Sequence, residues 1–238
     1  MINNLTLTQA ERSASLEFAK AGHQRASVYE LLGSCFLQEP NMEIIRVMEM
    51  LLSQVEGASQ MDESSMKEIM DTPETLRQTY YDRFFVPFSG KYVPPIESAI
   101  RGGDPTNPKQ AFGPLDVGAS LRLRSWYEAV GFNPYDLTMY EPLRGLQFMD
   151  HIGFELAFMA YFCYAEDASW KLKDEDKAGQ WRKLQLQFLS EHLSKWCDRY
   201  AEELRQRGSD IYSKVAHICA QWIASDLLNL EVGRPGIH

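Results

Sequence analysis

Apolar residues recur along most of this chain at spacings of three and four, the period of an α-helix packed on one side. Leu16, Ala19, Ala26, Tyr29, Leu32 and Phe36 would share the buried stripe of a long first helix. It opens at the capping box Thr8-Gln9-Ala10-Glu11 and ends before Pro40. A second stripe follows Asn41 and comprises Ile44, Val47, Met48, Leu51, Leu52 and Val55; the polar 57–65 stretch then reads as a connection. Thr72-Pro73 opens a third helix that carries Tyr80, Tyr81, Phe84 and Phe85 and stops at Pro87. The 89–95 stretch, ending in Pro94-Pro95, cannot hold regular helix.

Between 101 and 114 three glycines and three prolines predict a flexible linker between two helical halves. A helix over 114–130, stopped by Gly131, carries Val117, Leu121, Trp126 and Val130, and an irregular 132–141 stretch follows. The next helix, somewhere after Pro142, has Ile152, Leu156, Met159 and Cys163 as its core stripe and runs into a charged 171–177 connection. Trp181, Leu184, Phe188, Leu189, Leu193, Trp196 and Tyr200 predict one long helix ending near Gly208. Ile211, Val215, Ile218, Trp222 and Leu227 predict the last. No strand pattern or internal repeat competes. The expected fold is all-α, a single globular bundle of roughly seven to ten helices.

Composition narrows the partners. A content of 45% hydrophobic and 24% charged residues excludes disorder, and 24 Lys plus Arg against 33 Asp plus Glu argues against nucleic acid and suits a basic ligand. The four cysteines are widely spaced with no C-x-x-C, which speaks against zinc and iron–sulfur sites and for thiols in a reducing compartment. The longest apolar run, 152–165, contains Glu155 and is short for a bilayer; no basic and apolar leader stands at 1–10. These features predict a soluble, cytoplasmic protein without membrane insertion.

Phosphate-binding, zinc-protease and serine-nucleophile motifs are absent from the sequence. Asp150-His151 with Glu155 one turn on has the groups for acid–base chemistry, but no nucleophile stands nearby, and a satisfied structural histidine is the commoner outcome. The rings and prolines from Tyr80 to Pro95, Phe88 and Tyr92 included, read equally as a groove lining or as local core. His192 and Trp196, one turn apart, read as helix-packing residues.

Several pieces together resemble one family. They are Phe84-Phe85-Val86-Pro87, then Pro94-Pro95-Ile96-Glu97-Ser98, the 121–127 and Gly131-Phe132 stretches, Asp150-His151-Ile152-Gly153-Phe154-Glu155-Leu156, the 188–196 run and the 212–222 helix. In this order they resemble the TorD/DmsD/NarJ-type redox-enzyme maturation chaperones over most of 80–230. The resemblance implies an all-helical cytoplasmic chaperone of anaerobic respiration, not an enzyme, with no cofactor. Its partners would be the twin-arginine signal peptide and the immature, apo catalytic subunit of a molybdenum oxidoreductase, held back from export until the cofactor is inserted. The expected peptide-binding residues are Tyr81, Phe84, Phe85, Pro87, Pro94, Pro95, Glu97, Ser98, Asp150, His151 and Glu155. Among them Asp150, Glu155 and His151 would form the polar end, because paired arginines need carboxylates.

Two positions depart from the family pattern. The family's Glu-Pro-x before Asp-His is replaced by Gln147-Phe148-Met149, and Ile96 stands where relatives often carry an aromatic. The linker would allow either a monomer or a domain-swapped dimer. Two other readings stay open: a helical enzyme using Asp150, His151 and Glu155, and a helical adaptor without signal-peptide specificity.

Overall fold

The computed structural model describes residues 9–55, 73–145 and 148–232. The Thr8 cap, the 57–65 connection, Thr72 and Gln147 lie outside them, as do the side chains of Leu16, Ala19 and Val55. The helices are Gln9–Leu37 (α1), Met42–Val55 (α2), Pro73–Phe84 (α3), Glu97–Gly102 (α4), Val117–Val130 (α5), the single turn Glu141–Arg144 (α6), Ile152–Lys171 (α7), Glu175–Glu191 (α8), Cys197–Gln206 (α9) and Ile211–Val232 (α10). Among the described residues there is no strand, and the fold is the expected all-α bundle.

The central helix α7 buries Ile152, Phe154, Leu156, Phe158, Met159, Phe162 and Cys163, apolar nearly all round because α1 and α8 cover it from two sides. Glycine lets α1 approach closely: a Cβ on Gly33 would lie 3.3 Å from Gly153 O, and one on Gly153 only 2.5 Å from Leu37 Cγ. A buried polar knot fixes the neighbours. Arg25 of α1 donates to Asp226 of α10 (Nε to Oδ1, 2.6 Å), to Glu166 of α7 (3.2 Å) and to Gln185 of α8 (2.7 Å). The four cysteines are buried free thiols, and burial pushes those of Cys35 and Cys163 up to about 12.

Two expectations need correction. The long helix drawn through Trp181 and Tyr200 is two helices: the chain leaves α8 at His192 (φ −118°, ψ −94°), makes one 3-10 turn over Leu193–Lys195 and restarts at Cys197. One 3-10 turn shifts the apolar stripe by only about 60°, so periodicity runs through the break unmarked. In α5, Val117 and Leu121 are exposed, while Ser120, Leu123 and Tyr127 face inward. The inward face is chosen by polar contacts at its base: Tyr127 donates its hydroxyl to Met149 O (2.9 Å), and Ser120 Oγ accepts from Met149 N (2.8 Å).

The 101–114 segment folds back on itself. Asp104 N donates to Gln110 O and Gly113 N to Ala99 O, while Arg199 of α9 donates to Gly103 O and Ala111 O (2.9 and 2.8 Å). A Cβ on Gly103 would stand 2.1 Å from Ala111 O, so glycine is what permits this closure.

Candidate functional site

Two stretches about fifty residues apart meet at the start of α7. Ile96 pairs antiparallel with His151: Glu97 N donates to Asp150 O (2.8 Å) and Ile152 N donates to Pro95 O (3.0 Å). Pro94 and Pro95, both buried, lose nothing by lacking an N–H, because this pairing uses only the Pro95 carbonyl. Asp150 Oδ2 accepts from Ser98 N at 3.0 Å. His151 Nδ1 accepts from Gly153 N at 3.1 Å and so caps α7, which leaves that nitrogen unprotonated.

Glu155, in the first turn of α7, is fully buried; its Oε2 accepts from Trp196 Nε1 at 3.3 Å. Glu155 Oε1 and Asp150 Oδ1 have no hydrogen-bond partner among the described residues. Burial pushes the Glu155 carboxyl well above its usual range, and the neighbouring Glu97 adds to the push. Burial likewise raises Asp150, opposed by the Ser98 hydrogen bond, and lowers His151 to about 3. Together they form a buried layer of a neutral imidazole and carboxyls pushed above their usual range, poorly suited to trading protons with a substrate in water.

In front of that layer stands Glu97. Its Oε1 accepts from Arg101 Nη1 at 2.5 Å and its Oε2 lies 3.0 Å from His192 Nδ1. It lines a cleft of about 760 Å³ with Ser98, Arg101, Asp116, Arg122 and Trp126 among its other walls. Trp126 meets the His192 ring edge-on, and that ring stacks on Phe188 at 4.9 Å between centroids.

The expected site residues thus fall into separate places. Glu97 and Ser98 line the cleft, and Asp150, His151 and Glu155 lie buried behind it. Tyr81, Phe84 and Phe85 belong to an aromatic cluster around Tyr80; Tyr81 and Phe85 also contact Tyr140, and Tyr81 donates its hydroxyl to Glu39. Tyr81 lines a second cleft of about 520 Å³ with Arg77, Tyr140 and Glu141. Pro87 is exposed beside Phe88, which is 99% exposed. Sequence reasoning missed Arg101 and the reach of His192 and Trp196 across the bundle. The Glu97–Arg101 spacing of four was the available signal for the first; for the other two, spacing shows a shared face but not what that face meets.

The motifs that this geometry joins are those of a known family. A family model described as nitrate reductase delta subunit matches residues 53–202. The chain belongs to that family. Its members are molybdoenzyme maturation chaperones of the NarJ type, related to TorD. No curated protein and no solved structure gives a match. Delta-subunit chaperones partner with nitrate-reductase-type molybdoenzyme subunits. Among the described residues of this member, no helix is long and apolar enough to cross a membrane, and no group of His, Cys, Asp or Glu is arranged to hold a metal ion.

Proposed function

We propose that this chaperone binds, in the cytoplasm, the arginine-bearing signal segment of an immature molybdoenzyme subunit, and that it does so by holding rather than by turnover. One observation carries the reading: Glu97, a carboxylate with 4% of its side chain exposed, forms part of an open cleft of about 760 Å³. A carboxylate so placed suits a guanidinium, and the Trp126 ring beside it offers a flat wall for the stem of the side chain. Asp150 and His151 support the site from behind by fixing the 95–98 strand-like stretch to the start of α7, while Glu155 behind them holds Trp196. The aromatic cluster of Tyr81, Phe84 and Phe85 contributes the apolar part, through the half-buried rings of Tyr81 and Phe85, while Pro94 and Pro95 are buried and shape the adjoining backbone.

The test is co-purification from cells grown anaerobically, comparing the tagged wild-type chain with Glu97→Gln. Recovery of a molybdoenzyme precursor with its signal segment intact, reduced in the variant, is the expected result. Equal recovery by both moves the site elsewhere, and recovery of folded, cofactor-loaded enzyme alone replaces the chaperone by an adaptor.

A further inference from the structure

In this structure the carboxylate that would receive a client arginine already holds one from its own chain. Arg101, 47% exposed at its side chain, donates from Nη1 to Glu97 Oε1 (2.5 Å) and to the main-chain oxygen of Glu191 (3.3 Å). Trp126 lines the same cleft. A buried carboxylate oxygen, a carbonyl and an aromatic face are the surroundings in which a guanidinium binds best. Arg101 shows that such a group fits.

We propose that Arg101 is a stand-in for the client: it fills the guanidinium seat on Glu97 in the empty cleft and leaves when an arginine of the bound segment takes its place. The inference rests on the reading of this cleft as the client site and adds its regulation. Two asymmetries support an exchange in this direction. Glu97 is anchored from the rear, by His192 on Oε2 and by the backbone pairing of Glu97 N with Asp150 O, so the seat stays in place when its occupant moves. Arg101 sits on the six-residue α4 with nearly half its side chain in water, so it swings out at small cost. The stand-in also has a reason to exist. A carboxylate this buried, left unpaired, is costly, and the intrachain arginine covers it until the client arrives.

The opposite wall provides an internal control. Arg122 and Asp116 approach to 3.6 Å but are exposed by 69% and 53%, so removing Arg122 takes the same unit charge from the cleft without freeing Glu97. A half-exposed pair that must open before binding weakens the apparent affinity by about twofold to fivefold.

The experiment is a fluorescence-anisotropy titration of the full chain with a labelled synthetic peptide bearing an arginine pair ahead of an apolar stretch. The variants are Arg101→Gln, Arg122→Gln, Glu97→Gln and the Glu97→Gln Arg101→Gln double, each with its thermal melt recorded. Arg101→Gln should tighten binding about threefold, beyond any change in Arg122→Gln, and the gain should vanish in the Glu97→Gln background. Arg101→Lys, which keeps the charge but loses the planar fork, should fall between wild type and Arg101→Gln. Tightening equal to that of Arg122→Gln, no tightening, or weaker binding overturns the stand-in role; the cleft reading survives that result if Glu97→Gln alone still weakens the peptide. Binding that ignores Glu97→Gln, or no binding at all, overturns both.

Discussion

His151 is buried as a neutral imidazole with Nδ1 capping α7. Unfolded, the ring takes a proton near its ordinary 6.5; folded, only near 3. Between those values the unfolded chain binds the extra proton, so the stability is whole above 6.5 and is lost as pH falls, at up to about 1.4 kcal/mol per pH unit. His151→Asn keeps an acceptor for the cap and removes the titration. Its urea-unfolding free energy should therefore decline less than that of wild type between about pH 6.5 and 4.5. A parallel decline would mean that other groups govern acid unfolding. Arg83 presents a different single-residue dependence. It is fully buried and binds Asp210 (2.6 Å), Lys91 O, Leu204 O and Gly208 O. Arg83→Met strands those acceptors and should cost about 3–5 kcal/mol in chemical denaturation, with Arg83→Lys recovering little because an ammonium cannot span the fork.

At the scale of elements, contacts between helices depend on what is absent as much as on what is present. The α1–α7 crossing relies on Gly33 and Gly153, and Gly153→Ala drives Leu37 from its rotamer. The thermal melt should report a loss of about 1–2 kcal/mol, although alanine is the better helix former. The 101–114 segment depends on Arg199. Arg199→Ala removes two charge-assisted hydrogen bonds to Gly103 O and Ala111 O, each worth about 1.5–3 kcal/mol. Amide exchange across 103–111 should then rise at least about tenfold, while α7 stays protected. The break at His192 belongs to this scale too: without it, the α8 axis would continue, and neither the Glu97–His192 contact nor the Trp196–Glu155 contact follows from helix geometry alone.

For the whole molecule, the cleft is a product of assembly: α4 supplies Glu97 and Arg101, α5 supplies Arg122 and Trp126, and the end of α8 supplies Glu191 and His192. Glu97, Asp116 and Glu191 line it beside Arg101 and Arg122, and the attraction of these carboxylates for a bound arginine pair is partly screened by salt. Affinity for an arginine-pair peptide should fall several-fold as salt rises from about 50 to 500 mM, read by titration, whereas an all-apolar groove would give a flat or rising curve. The Arg25 knot has the same global character, since it draws on α1, α7, α8 and α10 and no single element contains it.

The all-α bundle and most helix positions were legible in the sequence, because a helix is dictated by apolar spacing within a few turns and by local caps and stops such as Pro73, Pro87 and Gly131. The family was legible in the order of motifs, above all Pro94 to Ser98 and Asp150 to Leu156. Tertiary structure alone decided which of the charged residues meet the cleft. Glu97 and His192 are 95 positions apart, and Glu155 and Trp196 are 41 apart. Burial at such distances is set by how helices cross, a property that no local window contains; it moved Asp150 and Glu155 behind the cleft and brought His192 and the Glu191 carbonyl onto the Glu97–Arg101 pair, whose own spacing of four is local.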